Sequence, residues 1–527
     1  MSIKVFNYLK LQSRPYHPFL VASFQILTIY AINVNTANIN AVMIVLLIAF
    51  IFTALLFLLF SFITKDIKQA AIVVTFYCFL FFTYGRLYDI VRGFQISGLL
   101  IGRHKYLPLL YALIIVAGTL WIFRSRWCKK YLEGITYFFN MFSSGLVIIV
   151  VLVAITNFDW IAFGSTKNAE SKNFSIKKDA PQVSQSRKNI LQPNVYYIIL
   201  DSYASHRVLK QCYDWDDSGV VGAFRKRGFS VNKTAYSNYP FTALSLGATL
   251  NMRYIHDDRA FIDTISKSGY LSRLKLQNKV MERFKSEGYD VVSNIGDYRR
   301  PNNKHGMFNG KKSLFSDDFV VLVIDVSLLR IIKNELIADQ MRQDILLIIE
   351  DLKLFDIPNK PTFIFSHVMC PHQPNIFNAD GSKPKLFESA WGRLEIKKGY
   401  IEQVRFIGKQ IIEIVDTLRR RDPSAVIIVQ ADHGNGIVLG TYLFDHKRPP
   451  LEFIDAQFGI LNAMYFPPGI VIPEKITPVN LFRYIFNALF DAKLEVLPDR
   501  AFFTGIKEPY AFYEVTSDLK SLTRGQY

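Results

Sequence analysis

The first third of the chain consists mainly of long apolar stretches separated by short polar loops. Five of these stretches have about the 20 residues that an α-helix needs to cross the hydrocarbon core of a bilayer. The second stretch contains no charged residue at all. The pattern therefore predicts five membrane-spanning helices, near residues 17–34, 41–63, 70–90, 106–123 and 136–157.

Two other interpretations of the apolar stretches are less consistent with the sequence. Lys4, Lys10 and Arg14 precede the first stretch, as basic residues precede a signal peptide. However, no small-residue cleavage site follows and four more stretches do, so we interpret the first as a retained helix. Buried helices of a globular protein are the second alternative, but repeated uncharged runs of this length are rare in soluble proteins.

The pattern changes after a polar segment, 161–193, which we interpret as a linker at the membrane surface. Beyond it, short continuous apolar runs alternate with amphipathic stretches, which is typical of an α/β domain. We therefore predict a membrane domain over 1–160 and an α/β domain over 194–527, with a largely parallel central sheet and flanking helices. The predicted strands are 195–201, 289–295, 362–368 and 425–434, and the long helices lie near 265–286, 338–355 and 394–420.

The location of the charge decides what it means. The net charge of +18 and the pI near 9.5 favour nucleic acid as a partner when taken alone. Residues 1–160 carry +9 of this charge, the linker +4 and residues 194–527 only +5. Because half of the excess flanks apolar stretches, we expect the membrane, and not nucleic acid, to be the partner.

The basic residues of the loops predict the orientation of the chain. Nine lie at the N-terminus and in the second and fourth loops, whereas four lie in the third loop. Since basic residues accumulate on the cytoplasmic side, the N-terminus is predicted to be cytoplasmic. An odd number of spans then places residues 194–527 outside the cytoplasm.

Acidic and imidazole side chains follow the predicted strands. Asp201 ends the first strand, Asp432 and His433 end the last one, and FSHVMCPHQP contains His367 and His372. Carboxylate oxygen and imidazole nitrogen together suit a divalent cation such as zinc or manganese. Singly, such residues are more often helix caps or structural histidines. Their shared position at strand ends predicts a metal site.

A candidate nucleophile lies in the segment 237–252. Thr242 begins a predicted helix just after Pro240, where the amide groups of a helix N-terminus favour an anionic phosphate. A metal ion lowers the pKa of a hydroxyl group enough for attack, which an isolated threonine does not achieve. The alternative is that Thr242 only caps the helix.

These residues resemble the alkaline phosphatase superfamily, in particular its sulfatase-like branch of membrane-bound lipoteichoic acid synthases and lipid A phosphoethanolamine transferases. Those proteins have five N-terminal spans followed by an exported α/β domain. The resemblance implies that Asp201, Asp432 and His433 bind metal and that Thr242 binds metal and becomes covalently phosphorylated. It also implies a multi-pass protein of a bacterial-type cytoplasmic (inner) membrane.

The same resemblance extends to further residues of the predicted site. His367 and His372 resemble two histidines of the phosphoethanolamine transferases, and His446 resembles a third. It implies that His372 and His446 are catalytic, that His367 binds substrate, and that a second metal ion has candidate ligands. Asn251 echoes a Leu-Asn pair of the lipoteichoic acid synthases and is a candidate for substrate binding. In the basic third loop, Arg103 is a candidate contact for lipid headgroups, and the alternative is that it only anchors the loop at the membrane interface.

The sequence departs from these families at several points. The first carboxylate is typically Glu there, whereas it is Asp201 here. The disulfides of the phosphoethanolamine transferases are absent, and Cys212 and Cys370 are the only two cysteines outside the membrane region, so whether they pair stays open. The signature that sulfatases need for formylglycine formation is also absent around Thr242. Hydrolysis of sulfate esters is therefore disfavoured.

The resemblance implies transfer of a substituted phosphate, of the phosphoglycerol or phosphoethanolamine type. A phospholipid is the expected donor, and a glycan or lipid is the expected acceptor. One alternative is a membrane-anchored phosphodiesterase or phosphatase that uses the same residues with water as acceptor. Another is a lipid sensor without catalytic activity, which would be expected to have lost part of its metal set.

Overall fold

The computed structural model describes most of the chain and divides it into two compact units. Unit 1 comprises residues 1–180 and 312–337, and unit 2 comprises residues 181–311 and 338–527. Apart from residues 192 and 193, the linker predicted over 161–193 lies outside the described residues. These are residues 14–34, 37–91, 95–96, 99–100, 104, 106–158, 192–256, 278–295, 317–354, 359–384, 393–440, 448–505, 508 and 510–523.

The first unit contains the apolar helices of the N-terminal third. Four of its helices have the length and hydropathy to cross a membrane, and a shorter apolar helix, His17–Ile32, precedes them. A two-stranded antiparallel ribbon, β1 (Gln95–Ile96) with β2 (Leu99–Leu100), lies between two of them. The helices are His17–Ile32, Ile39–Thr64, Ile67–Val91, Leu107–Arg124, Arg126–Lys130, Leu132–Asn157 and Asp318–Val326.

The helix Ile67–Val91 is the central one of these apolar helices. In its most apolar window 61% of the residues are buried, against 17% in each of the other three long helices. It contacts the helices on both sides of it in the sequence and the short apolar helix as well. The other long helices expose large apolar side chains such as Leu58, Phe62 and Leu109, as expected for surfaces that face lipid.

Residues 312–337 belong to this first unit although they lie within 194–527. Their helix Asp318–Val326 and the following 3₁₀ turn Leu328–Ile332 pack on the apolar helices, with Phe319 and Val323 in the same core. Arg330 donates to the carboxylate of Asp89 at the end of the central helix. We call residues 312–337 the insert.

The second unit has a six-stranded sheet at its centre. Its strands are β3 (Val195–Leu200), β4 (Ser230–Val231), β5 (Asp290–Ile295), β6 (Thr362–Val368), β7 (Val426–Gln430) and β8 (Asn462–Tyr465), and they lie in the order β4-β8-β7-β3-β6-β5. The four strands β7, β3, β6 and β5 are parallel to one another. At one edge, β8 pairs antiparallel with β7, and β4 pairs antiparallel with β8.

Both faces of the sheet are covered, which explains the continuous apolar runs of the sequence. Alternate residues of β3 enter two different cores: Tyr196 and Ile198 lie in one, and Tyr197 and Ile199 in the other. The second unit also contains the 3₁₀ turn Ile437–Leu439 and a two-stranded antiparallel ribbon of β9 (Phe502–Phe503) and β10 (Tyr513–Glu514). Its helices are His206–Tyr213, Ser218–Lys226, Thr242–Asn251, Lys279–Ser286, Lys333–Leu354 from residue 338 onward, Arg393–Arg421, Leu451–Phe458, Pro478–Phe490 and Thr516–Thr523.

The prediction of apolar helices followed by an α/β domain with a largely parallel sheet is confirmed at this level. The predicted strands and the long helices predicted near 338–355 and 394–420 are present, with ends shifted by a few residues. Of the helix predicted near 265–286, the structure describes Lys279–Ser286, and residues 265–277 lie outside the described residues. All four cysteines are free, including Cys212 and Cys370, whose pairing the sequence left open.

Candidate functional site

Three parallel strands bring the candidate ligands to one edge of the sheet. The register pairs Ile199 of β3 with His367 of β6 and with Gln430 of β7. Asp201 and Asp432 follow two of these strands by one or two residues, so their side chains lie at the same edge. Both carboxylates are buried, with at most 1% of either residue exposed. The structure thus brings together residues that are more than 160 positions apart.

Asp201, Asp432 and His433 form a compact group that fits a divalent cation. One ligand atom from each residue lies within 4.8 Å of the others. The Oδ2 atom of Asp432 is buried and has no hydrogen-bond partner within the described residues. A buried carboxylate oxygen without a partner is costly, and a metal ion would satisfy it. The set of two carboxylates and one imidazole suits zinc or manganese.

Thr242 lies beside this group as the first residue of the helix Thr242–Asn251. Its Oγ1 atom is 3.2 Å from Nε2 of His433 and 3.5 Å from Oδ2 of Asp201. The N-terminus of the helix adds partial positive charge at the same point, which favours a phosphate group. The hydroxyl group is therefore placed between candidate metal ligands and a helix end.

His367 pairs with Asp201. Its Nε2 atom lies 2.9 Å from Oδ2 of Asp201, and the imidazole is buried, with 1% of the side chain exposed. Burial alone raises the pKa of Asp201, but the charge of His372, the hydrogen bond and charge of His367 and the charge of His433 outweigh it. The pKa of Asp201 is therefore well below its ordinary value, and the group is an anion at neutral pH.

His372 approaches the site on a loop that follows β6. Its ring centroid is 6.4 Å from that of His433, and its Nδ1 atom lies 2.5 Å from the carbonyl oxygen of Gln373. Because a carbonyl oxygen only accepts, Nδ1 donates in this bond, and Nε2 is the atom that takes up a proton on its lone pair and delivers it again when protonated.

Of the remaining sequence candidates, Asn251 lies within the described residues and is not part of this cluster. Asn251 ends the helix that Thr242 begins, nine residues or about 13 Å along it. Its side chain bonds the carbonyl oxygen of Gly247 and the amide of Lys279, so the structure does not bring it to the cluster. His446 and Arg103 lie outside the described residues.

Several polar residues that the sequence did not single out hold the site in place. Ser202 contacts all three candidate ligands, and Ser245 donates to the carbonyl oxygen of Asp432 at 2.6 Å. Gln457 donates to the carbonyl oxygen of Pro240, just before the helix of Thr242. Ser202 directly follows Asp201, and that adjacency is the one signal in the sequence that pointed to it.

The comparisons with known proteins are structural ones. No protein-family model matches the chain, and no curated protein matches it. The chain is similar to the zinc complex of the C-terminal periplasmic domain of EptC from Escherichia coli, with 10% identity over 62% of this chain and 93% of that chain and a TM-score of 0.38.

Two further solved structures extend this comparison. The C-terminal periplasmic domain of phosphoethanolamine transferase EptC from Campylobacter jejuni is 13% identical over 58% of this chain and 97% of that chain, with a TM-score of 0.36. The integral membrane protein lipooligosaccharide phosphoethanolamine transferase A (EptA) from Neisseria meningitidis is 13% identical over 89% of this chain and 95% of that chain, with a TM-score of 0.35. The transferases that the motifs resemble are thus among the similar structures.

Proposed function

We propose that this protein is a metal-dependent transferase that moves a substituted phosphate from a phospholipid to a glycan or lipid acceptor. The observation that carries the proposal is the position of Thr242. Its hydroxyl oxygen lies 3.2 Å from His433 and 3.5 Å from Asp201, at the N-terminus of a helix. A half-buried hydroxyl group between candidate metal ligands and a helix end is suited to attack a phosphorus atom.

In the first step, Oγ1 of Thr242 attacks the phosphorus of the donor headgroup, and the bond from phosphorus to the diacylglycerol oxygen breaks. Thr242 loses its proton to water, and the diacylglycerol oxygen takes a proton from Nε2 of His372. The products are diacylglycerol and a phosphodiester on Thr242. A divalent cation, zinc or manganese, held by Asp201, Asp432 and His433 supplies the positive charge that favours the ionised hydroxyl group.

In the second step, an acceptor hydroxyl group attacks the same phosphorus, and the bond from phosphorus to Oγ1 of Thr242 breaks. The proton of the acceptor passes to His372, which restores the histidine for the next cycle, and Oγ1 of Thr242 takes up a proton from water. We assign His367 to holding Asp201, because its Nε2 atom already contacts that carboxylate. His446, thirteen residues after His433, is a second candidate for the proton transfers, since it resembles a further histidine of the phosphoethanolamine transferases.

We further propose five membrane spans, with the short apolar helix His17–Ile32 as the first. Its 16 residues reach about 24 Å, which a span achieves with flanking residues or local thinning of the bilayer. With a cytoplasmic N-terminus, the second unit then lies outside the cytoplasm. A lipid donor in the same bilayer accounts for the attachment of an enzyme to membrane helices.

Mass spectrometry of lipids and glycans from cells with and without the protein tests this function. We expect a phosphoethanolamine or phosphoglycerol increment on an acceptor that is lost in Thr242→Ala and partly kept in Thr242→Ser. Release of free headgroup phosphate without a modified acceptor would indicate a phosphodiesterase or phosphatase instead. Unchanged transfer by Thr242→Ala would refute the covalent mechanism.

A further inference from the structure

Ser202 has an unusual backbone conformation for its residue type. Its φ angle is +63°, in the left-handed region, and only 3% of the residue is exposed. That conformation is disfavoured for residues other than glycine, and it persists where the surroundings determine it. Glycine would adopt it without strain. The presence of a serine therefore indicates that its side chain has a use at this position.

The side chain and amide of Ser202 reach all three candidate ligands. Its amide donates to Oδ1 of Asp432 at 3.1 Å, and its hydroxyl group donates to Oδ1 of Asp201 at 3.2 Å. The same hydroxyl oxygen lies 3.3 Å from Nδ1 of His433.

These contacts engage one oxygen atom of each carboxylate. Oδ1 of Asp432 is bonded by Ser202, whereas its Oδ2 atom has no hydrogen-bond partner among the described residues. Oδ1 of Asp201 is likewise bonded by Ser202, whereas its Oδ2 atom faces Thr242 and His367. Partners of this kind fix the orientation of metal ligands.

Tyr400 holds Ser202 in its left-handed conformation. The phenol group donates to the carbonyl oxygen of Ser202 at 2.7 Å and accepts from the amide of Ala204 at 3.0 Å. Tyr400 is fully buried on the long helix Arg393–Arg421. One side chain of a rigid helix thus spans the turn that follows β3.

We propose that Ser202, held by Tyr400, is a positioning residue that aims Asp201, Asp432 and His433 at a divalent cation. This inference rests on the proposed function, because it presupposes that these three residues bind metal. It assigns to Ser202 no contact with substrate or cation.

The test measures Zn²⁺ binding by the purified full-length chain, by competition with a chromophoric chelator, together with the melting temperature of the metal-free protein. Ser202→Gly removes the hydroxyl group and relieves the strain. We expect the affinity for Zn²⁺ to fall about 10–100-fold while the metal-free melting temperature stays the same or rises. Ser205→Ala, three residues later, removes a helix cap that does not touch the group. We expect it to lower the melting temperature and leave the affinity unchanged.

Tyr400→Phe tests the second part of the inference. We expect a smaller loss of Zn²⁺ affinity, and the double variant with Ser202→Gly should bind no more weakly than Ser202→Gly alone, because Tyr400 acts through Ser202. Unchanged affinity in Ser202→Gly would overturn the positioning role while leaving the proposed function intact. Wild-type protein that binds no Zn²⁺ would overturn the metal site and this role together.

Discussion

Gln403 is the residue whose replacement most directly tests how the loop of His372 is held. Its Nε2 atom donates to the carbonyl oxygens of Pro371 and His372 at 3.0 and 3.1 Å, and it lies 3.3 Å from Oδ1 of Asn375. Its Oε1 atom accepts from the amide of Ile376 at 2.9 Å. The side chain is completely buried, so water does not replace these bonds.

The cost of Gln403→Leu follows from the groups that lose their partners. The amide of Ile376 and the carbonyl oxygen of Pro371 are the two main-chain groups left unsatisfied in the interior. Each costs about 1–3 kcal/mol, so we expect a loss of about 2–6 kcal/mol of unfolding free energy. For a unit of this size, such a loss of unfolding free energy lowers the melting temperature by on the order of 10 °C.

The same change should reduce headgroup transfer, because the loop no longer fixes His372 relative to His433. Gln410→Leu is a matched control on the same helix, where the glutamine accepts one bond from Lys353 at a partly exposed position. Thermal denaturation and the transfer assay are measured on both variants. A melting temperature for Gln403→Leu within about 2 °C of the control, or full transfer activity, would refute this reasoning.

Two further predictions concern the insert and the metal. Gly85→Ala places a methyl carbon 1.9 Å from the carbonyl oxygen of Asp325, whereas the methyl carbon of the control variant Gly145→Ala meets no atom within 4 Å. We therefore expect limited proteolysis to cut the insert faster in Gly85→Ala than in the wild-type chain, and at the wild-type rate in Gly145→Ala. Equal rates of cleavage in the two variants would contradict the close packing of the insert on Gly85. Removal of the cation with a chelator should lower the melting temperature of the wild-type chain. Addition of Zn²⁺ at 100 times its dissociation constant should then raise the unfolding free energy by about 2.7 kcal/mol. Zn²⁺ without effect on a fully chelated sample would count against the site.

The edge of the sheet that carries the candidate ligands was predictable because buried strands leave a simple pattern in the sequence. The strands β3, β6 and β7 are covered on both faces, so each is a continuous apolar run. The first polar residue after such a run lies at the carboxyl end of a parallel strand. All such ends meet at one edge. Asp201 and Asp432 could therefore be placed together without any knowledge of the loops.

The residues that hold the site were not predictable in the same way. Gln403 and Tyr400 lie on a helix whose apolar spacing shows which face is buried. That spacing does not show that a buried glutamine bonds a distant loop or that a buried tyrosine spans a turn. Both roles depend on tertiary contacts between residues that are about 30 and 200 positions apart.

The insert was missed for a different physical reason. Its helix Asp318–Val326 has nine residues, which is too short to cross a bilayer, and its apolar composition is equally typical of a helix in a globular core. What places it with the apolar helices is the close approach of its backbone to Gly85 and the bonds from Arg330 to Asp89. A single glycine within a long apolar helix does not reveal such a contact.

The balance of satisfied and unsatisfied atoms in the site explains why binding of a cation should stabilise the fold. Ser202 and Ser245 bond Asp432 at its Oδ1 atom and its carbonyl oxygen, but Oδ2 of Asp432 has no such partner among the described residues. A network that satisfied every atom would be more stable without metal and would bind it weakly. A network that satisfied none would not hold the ligands apart. Because Oδ2 of Asp432 is buried without a hydrogen-bond partner among the described residues, the metal-free fold is destabilised by the desolvation of this oxygen, and a bound cation would remove that destabilisation. Metal affinity and the stability of the second unit are therefore linked.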